Sequence, residues 1–330
     1  WVQAAPRTRS GSHVEGVQML TSRSVRAAAV ALGATALLAL AACSPPVAPP
    51  VERTQQPLPA ACPSGGGPVT PPATVGVGPR LTVLVPPANY QPGVKYPLLV
   101  SFHPFLLDQT AWENYSLLGH NASARGYWTL IPRGSDPGPR WSAAGGPDYG
   151  VDDVGYIDDL IVNTANAVCV DRDRIFAAGF SAGAAMSVGL SCELPWRFRA
   201  VVASGGSNLT SVCPGVGPTD ALIIHGTADG FAPLDGNTSA PVPPKGITVD
   251  SVVANFAVRN GCDATPTPVV KTPTVTRQVY SCAGQRLEYW PVQGMGHTWA
   301  SAAFPLDLVT GPTDTTFSAT KEVLDFFDAS

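Results

Sequence analysis

The stretch RIFAAGFSAGAAMS, Arg174–Ser187, restricts the folds open to this chain more than any other. An apolar run stops at Gly179, a single serine follows between two glycines, and small residues then continue with helical character. Gly179-Phe180-Ser181-Ala182-Gly183 fits G-x-S-x-G at a strand-to-helix junction, a turn too tight for bulky neighbours. Such a turn belongs at the edge of a sheet and lifts the Ser181 hydroxyl above a helix N-terminus. A helix-capping serine beside flexible glycines would fit the pentapeptide alone, but the strand–turn–helix placement favours the elbow.

The remaining chain supplies the sheet. From about residue 79, RLTVLVP, YPLLVSF, YWTLIP, RIFAAGF, RAVVASG and ALIIHG read as strands. Several are nearly continuous apolar runs, as expected of strands buried on both faces. Between them, DDVGYIDDLIVNTANAV places Val154, Ile157, Leu160, Ile161 and Ala165 on one helical face. A closing helix, TKEVLDFF, has Thr320 as its expected N-cap. This alternation predicts an α/β sandwich over residues 62–330, a single domain with a mostly parallel central sheet and helices on both faces. Apolar residues at 45% can fill such a core. A net charge of −4 and no basic stripe exclude nucleic acid as an expected partner.

Residues 1–61 read as outside that domain. Met19 opens a positively charged segment, AAAVALGATALLALAA is a short apolar stretch, and Leu40-Ala41-Ala42-Cys43 resembles a bacterial lipobox. On that reading residues 1–18 are upstream or non-native sequence and 19–42 a lipoprotein signal peptide. Cys43 becomes the lipidated membrane anchor, and the proline-rich residues 43–61 form a polyproline tether rising about 3.1 Å per residue. An ordinary secretory peptide is the alternative. Six cysteines remain: Cys62, Cys169, Cys192, Cys213, Cys262 and Cys282. No C-x-x-C pair occurs, and an even count outside the cytosol predicts disulfides, with about fifteen pairings open.

A serine hydroxyl is a weak nucleophile without a base, so a histidine and an acid must follow, acid first. ALIIHGTADGFAPLDG supplies Asp229 just past a strand, and YWPVQGMGHTWA supplies His297 just past another. Asp235 rivals Asp229 but lies farther from its strand, while His225, between strand and Gly226, reads as structural. The plain readings are a turn-capping Asp229 and a surface-loop His297. No H-E-x-x-H, Walker loop or dinucleotide fingerprint is present, so no metal or organic cofactor is expected.

At these residues the chain resembles the secreted polyhydroxybutyrate-depolymerase and feruloyl-esterase group of α/β-hydrolases. The resemblance runs through PLLVSFHP, DDVGYIDDLI, CVDRDRIFAAGFSAGAAMSVGLSCEL, FRAVVASGGS, IIHGTADGFAP and YSCAGQRLEYWPVQGMGHTWA, covering residues 62 to 327. It implies ester hydrolysis with Ser181 as nucleophile, His297 as base and Asp229 as the orienting acid. It also implies the disulfides Cys62–Cys213, Cys169–Cys192 and Cys262–Cys282. After LVSFH the group usually carries glycine or another residue with an amide, whereas this chain has Pro104, which has no N–H. The oxyanion hole is therefore expected from the amides of Ala182 and Phe105. Phe105, Trp141, Phe180, Phe231 and Trp299 are candidates for an apolar acyl or aryl pocket, or equally for ordinary core.

The expected protein is a monomeric extracellular serine esterase, anchored at the bacterial membrane through Cys43. It would act through an acyl-enzyme on feruloyl-type aryl esters or hydroxyalkanoate esters. Three alternatives stand beside it: a polyester depolymerase, an acyltransferase with the same triad, and a catalytically silent surface-anchored binding protein in which Pro104 marks lost catalysis.

Overall fold

The computed structural model describes residues 53–63, 73–74, 80–105, 107–135, 138, 140–142, 150–237 and 246–330. Residues 1–18, the expected signal peptide, Cys43 and the tether up to residue 52 lie outside the described residues. Those described fall within one compact unit, residues 50–330.

The strands are β1 (Ala73–Thr74), β2 (Thr82–Val85), β3 (Tyr96–Phe102), β4 (Trp128–Pro132), β5 (Val170–Phe180), β6 (Ala200–Ser204), β7 (Asp220–Gly226), β8 (Thr267–Val270), β9 (Thr276–Tyr280) and β10 (Leu287–Val292). They form one sheet in the order β1-β2-β4-β3-β5-β6-β7-β10-β9-β8. The run from β4 to β10 in that order is parallel, and an antiparallel pair of strands extends it at each edge.

The helices are α1 (Gln109–Ser116), α2 (Leu118–Ala124), α3 (Asp153–Ala167), α4 (Ala182–Glu193), α5 (Val249–Arg259), α6 (Asp307–Thr310) and α7 (Ala319–Asp328). Alternation along the strands sorts them onto two faces. Leu98, Val100, Ile175 and Ala177 pack with α3, α4 and α5, and Leu99, Phe176 and Ala178 pack with α1, α2 and α7. Both faces of the central strands are thus dry, which is why they read as unbroken apolar runs. The five apolar residues expected on one face of α3 are all buried.

Two expectations about the ends of the domain need correction. Ser318, not Thr320, caps α7, its side chain accepting from the Lys321 amide. Thr320 is buried and donates instead to the Ser116 carbonyl at 2.6 Å. Residues 53–61 are not free tether. Arg53 bonds Asp152 and Glu193, Gln56 bonds Asp159, and Leu58 packs on the core beside α3.

The disulfides are Cys62–Cys169, Cys192–Cys213 and Cys262–Cys282. The last is as expected, but Cys62–Cys213 and Cys169–Cys192 are exchanged for other partners. Cys169 opens β5 in the plane of the sheet, where its carbonyl accepts from the Tyr96 amide and Cys62 arrives beside Gly93. Cys192 ends α4 in the helical layer and meets the loop carrying Cys213. Three disulfides are the chemistry of an oxidising, extracellular environment.

Candidate active site

At the end of β5 the backbone of Ser181 turns to φ 56° and ψ −119°, a region that non-glycine residues rarely occupy. The turn is held by the Ser181 amide donating to the Ser204 carbonyl at 2.9 Å, and by its carbonyl accepting from Ala185. Gly183 is required by close approach, because a Cβ there would collide with the carbonyls of Phe102 and His103. A Cβ on Gly179 would in turn strike the Gly183 backbone. Strand, turn and helix are thus pressed together until only the serine side chain has room to project.

Asp229 and His297 arrive on loops that follow β7 and β10, adjacent parallel strands in register through Gly226 and Val292. Gly226 lets these loops touch, since a Cβ there would meet the Met295 carbonyl. The three expected side chains converge. His297 Nε2 lies 2.8 Å from Ser181 Oγ, and His297 Nδ1 lies 2.8 Å from Asp229 Oδ2. A carboxylate only accepts, so Nδ1 carries the imidazole proton and Nε2 is left to accept from the serine hydroxyl.

Asp229 is anchored at its other oxygen, Oδ1, which accepts from the Phe231 and Ala232 amides at 2.9 and 2.8 Å. The buried His225 Nε2 sits 3.5 Å from Oδ2 and 2.8 Å from the Ala232 carbonyl, bracing the same loop. Burial works against charge on Asp229. The hydrogen bonds and attraction of His225 and His297 outweigh it and hold the carboxyl well below the usual carboxylate range. Asp235, the rival, takes no part: it is exposed and accepts from Asn237.

The aromatic candidates divide. Phe180 and Phe231 lie on the His297 ring, with centroids 4.8 and 5.2 Å away. Phe231 is half-exposed, as is Phe105, whereas Phe180 is buried. Trp299 and Trp141 do not line an open pocket, because they are 0% and 2% exposed. Trp299 packs edge-on against Trp112 and donates to Thr320 Oγ1. Trp141 packs against Phe102 and donates to the His103 carbonyl. Both rings turn inward, where their N–H groups find acceptors.

The amides of Ala182 and Phe105 donate to no acceptor among the described residues. His103, outside the expected site residues, is fully buried directly after β3. Its signal was a histidine closing an otherwise apolar run, LLVSFH. Among the described residues, no group of three or more His, Cys, Asp or Glu side chains is placed to hold a metal ion.

No family model matches the chain. It is 32% identical over 241 residues to the protein named "Putative esterase NocK" of Nocardia uniformis subsp. tsuyamanensis, covering 65% of this chain and 69% of that one. It is 28% identical over 243 residues to feruloyl esterase B of Piromyces equi, covering 70% of this chain but 45% of the relative, so it spans less than half of that protein. The fold matches the solved acetyl xylan esterase from Aspergillus awamori with a TM-score of 0.56 at 15% identity, over 76% of this chain and 95% of that one.

Proposed function

The chain belongs to the esterases of the α/β-hydrolase fold, and from that premise we propose that Ser181, His297 and Asp229 carry its ester hydrolysis through an acyl-enzyme. The observation that carries this reading is one imidazole bridging the Ser181 hydroxyl and the Asp229 carboxylate at 2.8 Å on each side, on a strained elbow. His297 Nε2 takes the Ser181 proton as Oγ attacks the ester carbonyl. Asp229 holds the tautomer and stabilises the imidazolium, its depressed pKa keeping it charged throughout. The oxyanion develops against the Ala182 and Phe105 amides, which donate to no acceptor among the described residues. His297 then protonates the leaving alcohol. A water attacks the acyl-serine, giving its proton to Nε2, and collapse releases the acid and restores Ser181.

Half-exposed Phe231 against the His297 ring supports esters with a flat or apolar acid part, of feruloyl or hydroxyalkanoate type. A second reading, attack on a polyester, is favoured by exposed Phe304, Leu308 and Val309. They sit on the segment whose Thr310 carbonyl holds the His297 amide at 2.7 Å. Purified protein is expected to hydrolyse p-nitrophenyl butyrate and to be labelled by a fluorophosphonate, both abolished by Ser181→Ala. No turnover and no labelling of the wild type would leave the silent binding protein as the better account. Rates on methyl ferulate, acetylated xylan and hydroxybutyrate oligomers separate the substrate readings. The anchor is proposed on the lipobox alone, and fractionation of Cys43→Ser tests it: an unchanged membrane share rejects lipidation at that residue.

A further inference from the structure

His103 is 0% exposed and stands outside the triad, yet every polar atom of its ring is engaged. The Gly134 amide donates to Nε2 at 2.8 Å, and Nδ1 lies 2.8 Å from the Pro104 carbonyl. An amide can only donate and a carbonyl only accept, so the ring is the neutral tautomer with its proton on Nδ1. Burial pushes the imidazole down to about 4, so that this tautomer persists at neutral pH. The ring is further fixed by Trp141, packed against it at 4.7 Å with the rings tilted by 36°, whose Nε1 donates to the His103 carbonyl at 3.0 Å.

A trans peptide points its C=O and N–H in opposite directions. Holding the Pro104 carbonyl against the His103 ring therefore sets the direction of the Phe105 N–H. This matters here because Pro104 has no amide hydrogen, so the Phe105 amide is the first donor the loop offers after His103. The loop leaves β3 beside the elbow: Phe102 is in register with Gly179, and Gly183 packs on the Phe102 and His103 carbonyls.

We propose that His103 is a positioning residue, aiming the Phe105 amide at the developing oxyanion through its hydrogen bond to the Pro104 carbonyl. The inference rests on the hydrolase reading above. His103→Asn keeps an N–H near the Nδ1 position and loses the acceptor for Gly134. His103→Gln keeps an acceptor near Nε2 and loses the donor to Pro104. With p-nitrophenyl butyrate, His103→Asn is expected to stay within about threefold of wild-type kcat, whereas His103→Gln loses about 10- to 100-fold with KM little changed. Phe105→Pro, which deletes the amide, is expected to lose about 10²- to 10³-fold. Equal losses in His103→Asn and His103→Gln at matched Tm overturn the inference. So does a His103→Gln kcat within threefold of wild type, or a Phe105→Pro enzyme that keeps a third of the rate. If His103→Gln does not fold, His103→Asn and Phe105→Pro decide. A wild type that neither turns over nor labels at Ser181 is a different result, and rejects the hydrolase reading itself.

Discussion

Mild acid should weaken this fold through a single buried imidazole. An unfolded histidine titrates near 6.5, whereas in the fold burial carries His103 down to about 4. The Pro104 carbonyl and Asp108 pull in the opposite direction without cancelling it, and Arg133 adds to the depression. Between those two values the unfolded chain binds a proton that the folded chain refuses, so stability falls as pH drops through 6.5. The loss stops growing near pH 4, where the folded ring also takes a proton. At about 1.4 kcal/mol per pH unit over that interval, His103 accounts for about 3 kcal/mol, a sizeable part of the roughly 5–15 kcal/mol typical of a domain. Urea unfolding of wild type and His103→Gln at pH 7, 6, 5 and 4 measures it, because other titrating groups are common to both and cancel in the difference. The wild type should lose about 3 kcal/mol more than the variant between pH 7 and 4. Parallel curves would refute the reasoning, since they require the ring to accept a proton in the fold without cost.

Asp229→Asn removes the charge that fixes the His297 tautomer and should lower kcat by about 10⁴ with the fold intact; a loss below tenfold in steady-state assays would exclude Asp229 as the orienting acid. Gly183→Ala forces a methyl group into the Phe102 and His103 carbonyls, so both Tm and kcat should drop, and an unchanged Tm would contradict the tight elbow. A non-reducing digest should yield the peptides Cys62–Cys169 and Cys192–Cys213, and recovery of Cys62–Cys213 would overturn this pairing. Serine at Cys192 and Cys213, which close a short loop, should cost about 3 kcal/mol in denaturant unfolding.

What was legible in the chain follows from how each element meets water. β3, β5, β6 and β7 are covered on both faces, so their apolar runs stand out. β8 and β9 form an antiparallel edge with largely exposed or half-buried residues, and TPVV and TRQVY carry no such run. Ser181, Asp229 and His297 could be placed because strand ends and chain order are sequence properties. The direction of a ring is not one, so Trp141 and Trp299 looked like pocket walls while their N–H groups turn to acceptors inside. His103 was missed for a related reason: its ring is bonded to main-chain atoms, one of them 31 residues away. Backbone partners leave no pattern in side-chain identity. Disulfide partners likewise depend on which distant segments the folded chain brings together.

The segment from Arg53 to Cys62 runs along α3, from the ion pair at Asp152 beside its first turn to the bridge at Cys169 just past its last. A force pulling on the chain ahead of residue 53 would therefore meet Arg53 first, then Gln56, then Leu58, each released in turn as a strip is peeled from tape. It would end at a covalent stop before reaching any strand of the sheet. Load arriving from upstream would pass through Cys62–Cys169 into the start of β5, at the end of that strand opposite Ser181, and no part of the chain beyond residue 62 would be peeled away.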